Sequence, residues 1–124
     1  MTMQLTGTAL RMTILIGEDD VWQHTPLHRE ILDRARKAGL AGATVVRGCE
    51  GYGLHRMIHT TRMLSMADHM PILVLIIDRP DKIRAFLPQL QEVISNGTVI
   101  LDNVDVMTMG WSTLGPAAGS RTEN

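Results

Sequence analysis

The chain has 124 residues, and its twelve basic and thirteen acidic side chains leave a formal net charge of −1. That length fits one domain, and at this size folding buries about two-thirds of the unfolded surface, so one compact core is expected. The balance of charge excludes a global field drawing the chain to nucleic acid, and a single cysteine, Cys49, excludes both an internal disulfide framework and a cysteine-based metal cluster within one chain.

Residues 1–9 are polar and without period, and a flexible amino terminus is expected there. Residues 10–16 are apolar and rich in β-branched side chains, and they stop at Gly17 before Glu18-Asp19-Asp20, which predicts a first strand and a turn. The three acids could hold a cation, but a solvated turn is the plainer reading. Thr25-Pro26 has the form of a helix start, a hydroxyl N-cap followed by proline at the first helical position. Leu27, Ile31, Ala35 and Ala38 then trace one helical face, Arg29, Asp33, Arg36 and Lys37 the solvated one, and Gly39 stands as the residue after the cap.

Residues 41–46 predict a short turn leading into a second strand, and residues 58–65 are long enough for a third that pairs back on it. The six apolar residues 72–77 do not alternate, the mark of a central strand covered on both faces. They are also far short of the ~18–20 residues needed to cross a bilayer. The amino terminus has no basic start followed by an apolar stretch, so a cytoplasmic protein without direct membrane insertion is expected.

Arg79-Pro80-Asp81 opens a second helix whose face is Ile83, Phe86, Leu87, Leu90, Val93 and Ile94. Pro88 falls inside it and predicts a kink or a break. Asn96-Gly97 ends the helix; although Asn96-Gly97-Thr98 matches a glycosylation acceptor, a turn is the plainer reading without a secretory signal. Residues 98–109 predict the last strand, with Asn103, Asp105 and Thr108 making one edge polar, and the tail from Ser112 reads as disordered.

The order is strand, helix, strand, strand, helix, strand, with a hairpin extension in the middle. Two helices cannot cover both faces of a four-stranded sheet, so they pack on one face, and the other is expected to bury itself against further subunits.

Residues 47–62 carry most of the chemistry: three glycines within six residues, three arginines and two histidines. Glycine lets a ligand approach the backbone, so glycines beside arginines suit anion binding, although glycine-rich hairpins also arise for geometric reasons alone. His55 and His59 are two histidines without further ligands, an incomplete metal site, and none is assigned. Tyr52 could stack on a base or simply reach water. Trp22 and the methionines read as packing residues. Cys49 lies beside arginines, which would favour a thiolate, and at a strand end, where burial would oppose one. No nucleophile with its base, P-loop or carboxylate pair is recognisable, and the chain is read as not an enzyme.

These residues carry a resemblance. Ile14-Leu15-Ile16-Gly17-Glu18, residues 39–45 entering the second strand, Arg47-Gly48-Cys49-Glu50-Gly51-Tyr52-Gly53, Ile58-His59-Thr60, Pro71 before the apolar strand and Phe86-Leu87-Pro88 together resemble the PII-like signalling proteins, in the branch named domain of unknown function 190. The resemblance covers about residues 10–110 and gives one domain over 10–111, with a tail at 112–124.

It implies an α+β, ferredoxin-like βαββαβ sandwich with an extended loop between the second and third strands, assembled as a trimer. It further implies adenine-nucleotide binding between subunits, AMP, ADP, cyclic AMP or ATP being the candidates and no cofactor being required. Signalling would pass through the loop to an unidentified protein target such as a membrane transporter or channel. Carried over by position, Arg47 and Gly48 begin the loop at the nucleotide cleft and Gly97 and Thr98 enter the last strand beside it. The ligand set taken together is Arg47, Gly48, Glu50, Gly51, Tyr52, Gly53, Arg56, His59, Arg62, Gly97 and Thr98.

The chain departs from PII proteins in three ways. Val106-Met107-Thr108-Met109 replaces the paired arginines near the last strand, the loop is shorter, and no tyrosine stands at the PII modification position. Phosphate contact then falls to Arg47, Arg56 or Arg62, which favours a nucleotide with fewer phosphates than ATP. The alternative is a ligand-independent interaction module that docks constitutively on a transporter or channel.

Overall fold

The structure is a computed structural model and describes residues 5–51 and 70–110. Its elements are β1 (Gly7–Gly17), β2 (Val21–Trp22), β3 (Thr25–Pro26), α1 (Leu27–Lys37), β4 (Ala43–Arg47), β5 (Pro71–Asp78), α2 (Pro80–Val93) and β6 (Thr98–Val106). β4, β5, β1 and β6 lie side by side in that order, each antiparallel to its neighbour, while β2 and β3 form a separate two-stranded hairpin. This is the expected α+β class, an antiparallel sheet with two helices.

The strand period of two and the helix period near 3.6 meet in one core. Leu10, Met12, Ile14 and Ile16 of β1 and Ile72, Val74 and Ile76 of β5 are all at most 2% exposed. They pack with Leu27, Ile31 and Ala35 of α1 and with Ile83, Phe86, Leu90 and Val93 of α2. Burying each large member contributes about 1.5–3 kcal/mol.

Among the described residues the opposite face has no such cover. Leu15, Leu73, Leu75 and Ile77 are only partly buried there, and Val46 and Ile100 are 40% and 47% exposed. Among the described residues, helices therefore cover the apolar run of β5 on one side only. In the same face Arg11 grips Asp102 of the neighbouring strand through Nε at 3.2 Å and Nη2 at 2.8 Å.

Several boundaries differ from expectation. β1 begins at Gly7 because residues 7–9, expected to fray, pair with Val104, Asp105 and Val106. The pairing also packs the strand start, since Ala9 is wholly buried. Thr25 does not cap α1. It is taken up by the β2–β3 hairpin, whose turn residues Gln23 and His24 both adopt positive φ. Pro26 becomes the N-cap residue, and the first helical N–H, that of Leu27, donates to the Asp20 carbonyl at 2.8 Å. Ala38, expected on the buried face, is the exposed C-cap residue, and Gly39 follows at φ 79°.

α2 starts as expected, with Arg79 at the N-cap and Pro80 in the first turn, but Pro88 does not break it. Pro88 is exposed while Phe86 and Leu90 on either side are buried, so packing of the apolar face offsets the one hydrogen bond that proline removes. β6 ends at Val106, three residues early. The strand expected over residues 58–65 and the tail from Ser112 lie outside the described residues.

Two polar clusters tie the elements to one another. Asp78, wholly buried, accepts the Arg79 N–H at 2.7 Å and the Ala41 N–H at 2.8 Å, tying the α1–β4 connection to the start of α2. Arg34 of α1 donates to Glu30 and to Glu92 of α2, each at 2.8 Å, and its guanidinium stacks 5.0 Å from the centre of the Trp22 ring. Trp22 is thus a packing residue, as read from the sequence.

Candidate functional site

The register brings four strand ends together. Gly17 lies opposite Pro71, Arg47 opposite Ile72 and Leu15 opposite Thr98, so the ends of β1 and β4 and the starts of β5 and β6 share one end of the sheet. The turn after β1 is closed by Asp20, whose carboxylate accepts the Gly17 N–H at 2.9 Å while its own N–H returns to the Gly17 carbonyl at 3.2 Å. The next residue, Glu18, is fixed by its N–H, which donates to the Met70 carbonyl at 2.8 Å.

Arg47 shares the helix-side face of β4 with Ala43 and Val45. Its Nη2 lies 2.8 Å from Glu18 Oε2, with the arginine side chain 58% and the glutamate side chain 27% exposed. A pair this open contributes at most about 1 kcal/mol to stability, so its interest is positional. The other carboxylate oxygen, Glu18 Oε1, is buried without a hydrogen-bond partner, and so is His28 Nδ1 in the first turn of α1. Burial lowers the His28 pKa, the charge of Arg29 lowers it further, and Glu18 opposes both.

Gly48 is a steric requirement. Its N–H donates to the Pro71 carbonyl at 2.8 Å, and a Cβ built there would lie 2.8 Å from Pro71 Cγ. Gly51 is not under the same constraint, because its Cβ would sit at an ordinary 3.6 Å. Cys49 and Glu50 are exposed. Gly97 is confined on three sides: a Cβ there would meet Ile94 at 3.0 Å, Ile16 at 3.1 Å and the Leu15 carbonyl at 3.2 Å. Beside it, Arg84, Leu87, Leu90, Ile94, Gly97 and Val99 line a largely apolar groove of about 520 Å³.

Arg47 and Gly48 stand at the β4 edge, and Gly97 and Thr98 at the β6 edge. Three strand spacings, about 14 Å, separate them. One chain therefore brings these four residues to the same end of the sheet without bringing them to one point. Tyr52, Gly53, Arg56, His59 and Arg62 lie outside the described residues, as does His55. Among the described residues no group of three or more His, Cys, Asp or Glu side chains could hold a metal ion, and no helix is long and apolar enough to cross a membrane.

Glu18 and His28 were not among the residues expected at this site. Glu18 had a signal in the Gly-Glu-Asp-Asp strand ending, read there only as a turn or cation site. His28 had none, because nothing local shows that the first turn of α1 comes to lie near the end of β1.

The chain is similar to known proteins in sequence and in fold. The model of the family DUF190 (Uncharacterized ACR, COG1993) matches residues 9–106. A UPF0166 protein of Aquifex aeolicus (strain VF5) is 33% identical over 96 residues, covering 77% of this chain and 90% of the relative. The UPF0166 protein MJ1524 of Methanocaldococcus jannaschii is 28% identical over 90 residues, covering 73% and 82%. Among solved structures, "a putative PII-like signaling protein" from Thermus thermophilus aligns with a TM-score of 0.58 at 17% identity, over 83% of this chain and 93% of its own. CPII from Thiomonas intermedia K12, bound to ADP, AMP and acetate, aligns with a TM-score of 0.51 at 18% identity, over 82% and 91%.

Proposed function

The chain belongs to the DUF190 family, a branch of the PII-like superfamily, and on that footing we propose that it is a signal-transduction protein that binds a small adenylyl nucleotide between subunits. The observation that carries this reading is the split site. Arg47 with Gly48, and Gly97 with Thr98, share one end of the sheet but stand on opposite edges, so a neighbouring copy is what would bring the two halves onto one ligand. The half-covered apolar face with Leu15, Leu73, Leu75 and Ile77 supports the assembly, which we take to be a trimer with these faces around its axis.

Arg47 would then contact phosphate, and the backbone at Gly48 would come close to the ligand. The apolar groove beside Gly97 is roomy enough for a base. Arg56, His59, Arg62, Tyr52 and Gly53, with Glu50 and Gly51, are the proposed remainder of the site on the segment after β4. Ligand contact would reset that segment, and a partner protein would read it; the reading contains no catalytic step. The ADP and AMP bound to CPII of Thiomonas intermedia support the ligand class.

A thermal-shift series with AMP, ADP, ATP and cyclic AMP tests the reading. A ligand that binds only the folded state raises the midpoint by mass action, by the equivalent of about 2.7 kcal/mol at a hundredfold excess over Kd. Arg47→Ala is expected to abolish the shift. No shift with any nucleotide would favour the ligand-independent docking module instead.

A further inference from the structure

We propose that Glu18 sets how much phosphate charge this site accepts, turning it against triphosphates and towards monophosphates. The inference rests on the nucleotide reading above and adds a specificity residue to it. Glu18 is placed by the backbone, through its N–H to the Met70 carbonyl and the Asp20-closed turn around it. One carboxylate oxygen is on Arg47 Nη2 at 2.8 Å, while more than half of the Arg47 side chain is open to a ligand.

A phosphate held by the same guanidinium would therefore stand beside the glutamate charge, on the order of 5 Å away. Arg47 and Glu18 nearly cancel each other as seen by a distant charge. The first phosphate gains the directional bonds to the guanidinium, whereas each further phosphate adds charge that meets the carboxylate without gaining a second cation from this pair. Two like unit charges at that distance cost about fourfold in affinity in water, and more where water is partly excluded.

Isothermal titration of adenosine, AMP, ADP and ATP into the full chain, its Glu18→Gln variant and its Glu18→Asp variant tests this. In the wild type, affinity is expected to fall from AMP to ATP. Glu18→Gln keeps shape and a hydrogen-bond acceptor for Arg47 but removes the charge, and is expected to raise ATP affinity relative to AMP at least about fivefold; Glu18→Asp keeps the wild-type order. An ATP-to-AMP ratio unchanged in a folded Glu18→Gln protein overturns the proposal. Should that variant not fold, the wild-type series still decides, because affinity rising with phosphate number overturns the role of Glu18 while leaving the nucleotide reading intact. Binding of none of the four would remove the nucleotide reading itself.

Discussion

On β5, Ile72, Val74 and Ile76 are at most 2% exposed, whereas Leu73, Leu75 and Ile77, one residue away on the same strand, keep part of their surface. The two sets have nearly the same chemistry and differ only in which way the pleat points them. One face is closed by α1 and α2; the other has the Arg11–Asp102 pair among its apolar side chains and neither of these two helices over it. An unalternated apolar strand thus carries two surfaces of different fate: one is buried within the chain, and the other is the surface from which self-association is proposed.

The comparison can be broken first on the covered face. Phe86→Ala is expected to lower stability by about 3–5 kcal/mol in urea unfolding, from lost transfer energy and the cavity left behind. An equal loss from Leu75→Ala in a monomeric sample would show that the second face is closed already. Leu75→Asp bears on the same point, since it should reduce the mass of the proposed trimer to that of one chain in light scattering while the far-ultraviolet circular dichroism stays unchanged. A trimer that survives this substitution would place its interface elsewhere.

Asp78→Ala, below the covered face, is expected to cost about 1–3 kcal/mol because it strips the acceptors from two backbone N–H groups. Asp78→Asn retains one acceptor and should cost less. The smallest effect concerns His28, whose pKa is lowered chiefly by burial. Between that lowered value and the unfolded one near 6.5 the unfolded chain binds more protons, so stability falls as pH drops below about 6.5. His28→Gln should flatten this part of the profile, measured by urea unfolding at pH values of about 5 and 7.5, on either side of the unfolded value.

Much of the fold was legible because it rests on local periodicity. The faces of α1 and α2, the Arg79–Pro80 start and the Gly39 stop all follow from spacing and caps. The failures occur where a distant partner changes the outcome. Residues 7–9 look frayed until Val104, Asp105 and Val106 pair with them. Thr25 has the chemistry of a cap, yet the hairpin claims it through a Gln-His turn that lacks the Asn and Gly residues favoured at positive φ. At the candidate site, Arg47, Gly48 and Gly97 could be singled out from the chain, but the reason for Gly48 is Pro71 and the reason for Gly97 is Ile16, Ile94 and the Leu15 carbonyl.

By itself, the order of residues determined the α+β class, the position of the helices, the apolar stripes and the glycine-bearing exit from β4, because each depends on side-chain period or backbone permissiveness within a few residues. Only the tertiary structure decided that Glu18 holds Arg47 and that Arg47–Gly48 and Gly97–Thr98 stand on opposite edges of the sheet. Both depend on strand register, which joins residues tens of positions apart through hydrogen bonds that no local pattern encodes.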